Sequence, residues 1–228
     1  MKKGFTLAEV LITLVIIGVI AAMTIPTLMN KTNEQETVTA VKKAYSVLGQ
    51  AYQKVIAENG EIIPSELGNS QAEATVKMGD MFAKHLSVAK NCGMSTTGDC
   101  FADTAYKWFN GSNWGNVNVF TDRYKIRLND GMAMTVSAWN VGSVWGTSTS
   151  LKNGIGFIQI DVNGDKSPNV VGKDVFTFYI TKNGVVPAGT LEETNIHTLS
   201  TCKTYGGGCT AWVIAKGNMD YLRKDVSW

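Results

Sequence analysis

Between Phe5 and Met29 the chain carries one charged side chain, Glu9. A carboxylate left unpaired among apolar residues costs several kcal/mol, so it marks a function. Its natural partner is a cation, and the stretch supplies none on a side chain. Cutting the chain just before Phe5 would free an α-amine with a pKa of about 8. One helix cannot easily bring its own amine to Glu9, whereas a neighbouring copy shifted along the axis can. The chemistry suggests a segment that is first a membrane anchor and then a self-assembling helix.

A second group of oxygen-bearing residues lies at Asp161, Asn163, Asp165 and Asp174. The alternation of Asp161, Asn163 and Asp165 matches the first, third and fifth positions of a calcium loop, and Asp174 is a late carboxylate. The match is partial, because Lys166 and Gly172 stand where such a loop has glycine and glutamate. The other reading is an Asx-rich turn whose side chains bond their own backbone. Four cysteines form two close pairs, Cys92 with Cys100 and Cys202 with Cys209. An even count beyond an anchor points to disulfides made in an oxidising compartment. Three connectivities exist; local pairing is favoured, because the intervening glycines and polar residues can turn tightly. The spacings do not suit zinc, and His85 and His197 are remote in sequence. No nucleophile elbow, phosphate loop or His-Glu-x-x-His is present, so no catalytic residue is assigned and an enzyme is not expected.

These residues need elements to hold them. A helix over Phe5 to Met29, rising about 1.5 Å per residue, covers the roughly 30 Å core of a bilayer. Lys2 and Lys3 would keep the N-terminus on the cytoplasmic side. The helix is expected to continue to about Glu58. Val38, Val41, Tyr45, Leu48, Tyr52 and Val55 give that second half one apolar face, and Asn59-Gly60 a stop. Ser70 to Glu73 fits a capping box that opens a helix to about Ala89. Asn129-Asp130-Gly131 predicts a hairpin between 124–128 and 132–137. Residues 155–162, 175–181 and 185–186 read as further strands, and Trp212 to Ala215 as a last short one. Residues 138–154, with Trp139 and Trp145, read as a loop or a poorly formed strand. The expected fold is α+β: a long N-terminal helix packed on an antiparallel sheet.

Lys3-Gly4-Phe5-Thr6-Leu7-Ala8-Glu9 followed by an apolar run closely resembles the N-terminus of type IV pilins and type II secretion pseudopilins. The resemblance covers about the first thirty residues. It implies that a prepilin peptidase cuts between Gly4 and Phe5, that the new Phe5 amine is methylated, that Glu9 is the assembly carboxylate and that Pro26 bends the helix. It also implies a pilin-like head, and it adds to the calcium reading, since some pseudopilins hold that ion near their C-terminal strands.

The organisation expected is a leader over 1–4, a transmembrane and filament-core half-helix over 5–30, an amphipathic half-helix over 31–59 and an α+β head over 60–228. Expected partners are copies of the chain and related pilins, the peptidase and the membrane. The expected location is the bacterial cytoplasmic membrane, then an extracytoplasmic filament. The formal charge is +2, and without Lys2 and Lys3 the basic side chains fall from 21 to 19, level with the 19 acidic ones. That balance gives no general pull on nucleic acid. The alternative function is a minor pilin or adhesin-type binding module at a filament tip, or a subunit of a DNA-uptake pilus. It is motivated by the aromatic and Asn-rich loops at 108–116 and 139–146.

Overall fold

The structure is a computed structural model that describes Gly4 and residues 6–228. It divides into two compact units, residues 1–36 and Thr37–Trp228. Helix α1 (Leu7–Asn59) contributes to both. In the first unit its apolar side chains are exposed, among them Leu7, Leu11, Leu14, Ile17 and Met23. In the second unit Val38, Val41, Ala44, Leu48, Ala51, Tyr52 and Val55 are buried, the three- and four-residue spacing of one helix face. The helix stops at Asn59, and Gly60 follows in the left-handed region, its N–H bonded to the Ile56 carbonyl at 2.9 Å.

Helix α2 (Gln71–His85) begins as its capping residues require. The Ser70 hydroxyl accepts from the Glu73 N–H at 3.2 Å, and the Glu73 carboxylate accepts from the Asn69 N–H at 2.7 Å. The helix ends at His85, four residues before the expected Ala89. Leu86 is extended, and strand β1 (Val88–Gly93) takes the next stretch to pair with the chain near Ile126. A small two-stranded pair follows, β2 (Tyr106–Lys107) and β3 (Asn113–Gly115). Strands β4 (Tyr124–Leu128) and β5 (Ala133–Ser143) make the hairpin across Asn129-Asp130-Gly131. Strands β6 (Gly154–Asp161), β7 (Val175–Thr181) and β8 (Gly184–Pro187) complete an antiparallel sheet of order β1-β4-β5-β6-β7-β8. β5 is regular only to Ala138; its register then slips until Ser143 meets Gly154.

Helix α3 (Cys202–Tyr205) leads into α4 (Thr210–Lys216). The latter corrects the strand expected at Trp212 to Ala215. Four apolar residues have no period that separates a strand from a buried helix. What decides is Gly217, left-handed at φ 66, whose N–H caps the Val213 carbonyl.

The architecture is α+β, with the main core between α1, α2 and one sheet face. Ile126, Leu128, Met134, Val136, Ile158, Ile160, Phe176, Phe178 and Ile180 supply that face. Tyr45 of α1 stacks on Phe178 with ring centroids 5.8 Å apart. The other face is also covered, by the connections around 100–120, 145–151 and 188–197. Beneath them the register aligns Lys125, Thr135, Gln159 and Thr177 across four strands, all buried.

Leu48→Ala is expected to cost about 2–5 kcal/mol, the range for emptying a well-packed leucine site. In a chain of this size that lowers the Tm by roughly 10 °C. Lys54→Ala, on the exposed face of the same helix, should stay within about 0.5 kcal/mol of the parent. Thermal unfolding of the full chain in detergent micelles, followed by circular dichroism, measures both.

Candidate functional site

The first residue of α1 is Leu7, so Thr6 is its N-cap and Glu9 stands at the third helical position. The Thr6 N–H and hydroxyl both donate to Glu9 Oε2 at 2.8 Å, and the Glu9 N–H donates to Thr6 Oγ1 at 3.2 Å. This is a reciprocal capping box. The negative side chain also sits in the first turn, where the helix dipole favours it. Within its own helix Glu9 is therefore hydrogen-bonded, and among the described residues its donors are neutral. Sequence reasoning missed this pairing, although Thr6-Leu-Ala-Glu9 spells the capping signature.

Gly4 is exposed, and a Cβ built on it would meet nothing within 4 Å. Phe5 lies outside the described residues, as do Lys2 and Lys3. Pro26 falls inside α1, which stays helical on both sides of it. Thr13, Thr24 and Thr32 turn their hydroxyls back onto the carbonyls of Val10, Ile20 and Leu28 at 2.9–3.0 Å. Those bonds hide polar hydrogens that a bilayer would not solvate. By length and composition this helix is able to cross a membrane.

The loop between β6 and β7 brings together three of the four candidate metal ligands. Asp161 and Asp174 are buried, and Asn163 links them. Asp161 Oδ1 accepts from the N–H groups of Asn163 and Gly164 at 3.1 and 2.9 Å, and Oδ2 accepts from the Tyr106 hydroxyl at 2.7 Å. Asp174 accepts from the N–H groups of Asn169 and Val170 at 2.7 Å and from the Asn163 amide at 3.3 Å. Asp165 is exposed and pairs with Arg127 instead. Burial raises the Asp161 carboxyl to about 7, helped by the charge of Asp174, and the Asp174 carboxyl to about 6.

Calcium requires six to eight lone pairs turned inward. Here six polar hydrogens point at the two buried carboxylates. The unpartnered acceptors of the loop are two neutral amide oxygens, Asn163 Oδ1 and Asn169 Oδ1. Among the described residues no group of three or more His, Cys, Asp and Glu side chains is placed to hold a metal ion. The arrangement fits a hydrogen-bonded turn and does not fit a calcium cage.

Cys92 is bonded to Cys100 and Cys202 to Cys209. Cys92–Cys100 closes a short loop against the outer aromatic group, whereas Cys202 and Cys209 are buried in the main core cluster. Trp139 and Trp145 pack on each other at 5.7 Å, and Trp145 stacks on Tyr179 at 4.5 Å. Trp108 and Trp114 lie 5.3 Å apart in a second aromatic group. His85 sits 3.4 Å from Glu58. His197 is pushed down to about 4 by burial and by the charge of Arg123.

Residues 1–25 match the prokaryotic N-terminal methylation motif. This is the prepilin-type signature of type IV pilins and pseudopilins. No curated protein and no solved structure matches the chain. The pilin-type signature thus covers the segment that holds Gly4, Thr6 and Glu9, and it points to a structural subunit.

Asp174→Ala is expected to cost about 3 kcal/mol, because three buried donors lose their acceptor. Calcium or a chelator should leave the Tm of the parent chain where it is. Melting curves of both proteins, with and without the ion, check the two statements together.

Proposed function

We propose that the chain is the structural subunit of a type IV pilus or a type II secretion pseudopilus. A prepilin peptidase removes residues 1–4, and Phe5 becomes the methylated N-terminus. Residues 5–30 hold the chain in the cytoplasmic membrane with the N-terminus inside, and then form the filament core. Residues 31–59 are the amphipathic half of the helix and 60–228 the head. Pro26 supplies the bend, because its ring withholds a helix hydrogen bond.

The observation that carries this reading is the capping box at Thr6 and Glu9. It satisfies the hydrogen-bonding of the carboxylate with neutral donors, and among the described residues no cation meets its charge. A neighbour's Phe5 amine cancels that charge, and the geometry of the pair sets the stagger between subunits. The energy gained is that of a charge pair away from water, where losing one partner costs about 3–5 kcal/mol. Cohesion comes from the exposed apolar side chains of the first unit, Leu7, Val10, Leu11, Leu14 and Ile17.

A tip-bound binding module is the weaker reading. The tryptophans of the two loops that motivate it, 108–116 and 139–146, are engaged in packing: Trp108 on Trp114, Trp114 on Tyr106, Trp139 on Phe157 and Trp145 on Tyr179.

Glu9→Ala should leave membrane insertion intact and reduce filament yield by tenfold or more, the factor that about 1.4 kcal/mol produces. Normal filaments from that variant would contradict the pairing. Gly4→Leu should leave residues 1–4 in place, which intact mass measurement of the membrane-extracted chain reads directly.

A further inference from the structure

The outer face of the sheet buries a carboxylate that neither the N-terminal signature nor the metal reading uses. Glu193 is 6 % exposed. Its Oε1 accepts from the Tyr179 hydroxyl of β7, and its Oε2 accepts from the Gly189 N–H just after β8. Among the described residues it makes no ion pair.

The charged and titratable groups around it are few. Tyr179 is the direct partner, and its ring faces His197 with centroids 6.4 Å apart. His197 is held neutral by burial and by the charge of Arg123. Arg123 itself is engaged elsewhere: it bonds Gln159, approaches Asp122 at 3.5 Å and lies over the rings of Trp114, Phe120 and Phe157. Glu192, the chain neighbour, is exposed. Among the described residues no cation therefore answers Glu193.

The backbone at Glu193 is the seam between two connections. Gly146 and Glu193 form an antiparallel bridge. The Thr147 N–H donates to the Glu192 carbonyl at 2.8 Å, and the N–H groups of Thr194 and Asn195 donate to the Trp145 carbonyl at 2.8 and 3.1 Å. Residues 144–147 and 192–195 thus move as a pair. Two things fasten that pair to the sheet: the Glu193 carboxyl on Tyr179, and Trp145 stacked on the same tyrosine.

We propose that Glu193 is a proton-operated latch that fastens the connections 144–147 and 189–197 to β7 when its carboxyl is neutral and releases them when it ionises. Burial raises this carboxyl to about 7, against the donors that pull it down. A carboxyl raised in the closed form binds its proton more tightly there than in an open, solvated form. Closure is therefore fully favoured below the ordinary carboxyl value of 4.5, weakens as pH rises from there to about 7, and changes no further above it. The shift corresponds to a change in the open-to-closed ratio of roughly a hundredfold or more. Opening uncovers the stacked rings of Trp145 and Tyr179.

The test is hydrogen exchange by mass spectrometry on the full chain in micelles, between about pH 4.5 and about pH 8, corrected for the intrinsic pH dependence of amide exchange. That window spans the ordinary carboxyl value of 4.5 and the raised value of about 7. Protection of 189–197 and 144–151 should fall by roughly a hundredfold across it while that of α2 holds. Glu193→Gln should remove the fall. Tyr179→Phe deletes a donor that favours the ionised form, so it should move the midpoint to higher pH. Protection that is flat with pH in the parent chain, or a fall that persists in Glu193→Gln, would overturn the latch. If Glu193→Gln does not fold, the Tyr179→Phe midpoint decides: an upward move supports the proposal, and an unmoved midpoint rejects it.

Discussion

A negative charge sits on a helix end whose other side chains, through Met29, are uncharged. The fold of the first unit provides that charge with hydrogen bonds from Thr6 and with the dipole of its own helix. Among the described residues it provides no opposite charge. Everything else about the unit follows from the same imbalance. The exposed leucines, isoleucines and valines of α1 require a cover of lipid or of other helices. On the proposed function, the cover also supplies the carboxylate with a cation. A membrane satisfies the first need and a neighbouring subunit satisfies both, which is why anchoring and assembly are read as two states of one segment. The threonine hydroxyls folded back onto α1 carbonyls make that segment compatible with either environment.

The second unit solves a different problem. Its sheet has one greasy face under α1 and α2 and one face on which Lys125, Thr135, Gln159 and Thr177 line up in register. Polar side chains on that face cannot be covered by hydrocarbon without loss. The chain covers them with connections fastened in three ways. The Cys92–Cys100 disulfide closes one loop of that cover. Buried carboxylates accept from tyrosines and backbone N–H groups, Asp161 from Tyr106 and Glu193 from Tyr179. Aromatic clusters fill the space between. Such a cover makes the outer face depend on hydrogen bonds and proton occupancy more than the helix-covered face does.

Much of this was legible in the sequence where local chemistry dominates. The period of Val38, Val41, Leu48, Tyr52 and Val55 predicts the packed face of α1, and Asn129-Asp130-Gly131 predicts its hairpin. Elsewhere the outcome was set by partners distant along the chain. Val88–Gly93 has weak strand character by itself and becomes β1 because β4 lies beside it. Trp212 and Val213 suit a strand or a buried helix equally, and tertiary packing chose the helix. At 161–174 the alternation of Asp and Asn was visible, but the direction of the surrounding N–H groups was not, and that direction separates a turn from a metal cage. The Thr6–Glu9 box is spelled by the residues themselves, a threonine three positions before a glutamate at the head of an apolar run.

The central claim is that the Glu9 carboxylate meets the amine of a different molecule. Solid-state NMR dipolar recoupling tests it on filaments grown from an equal mixture of two chains, one carrying 13C-labelled glutamate and the other 15N-labelled phenylalanine. Recoupling between a Glu carboxyl carbon and the N-terminal Phe5 amine, at a separation of about 3–4 Å, is the predicted result. Filaments in which that amine shows no contact with any glutamate of the differently labelled chain would contradict it.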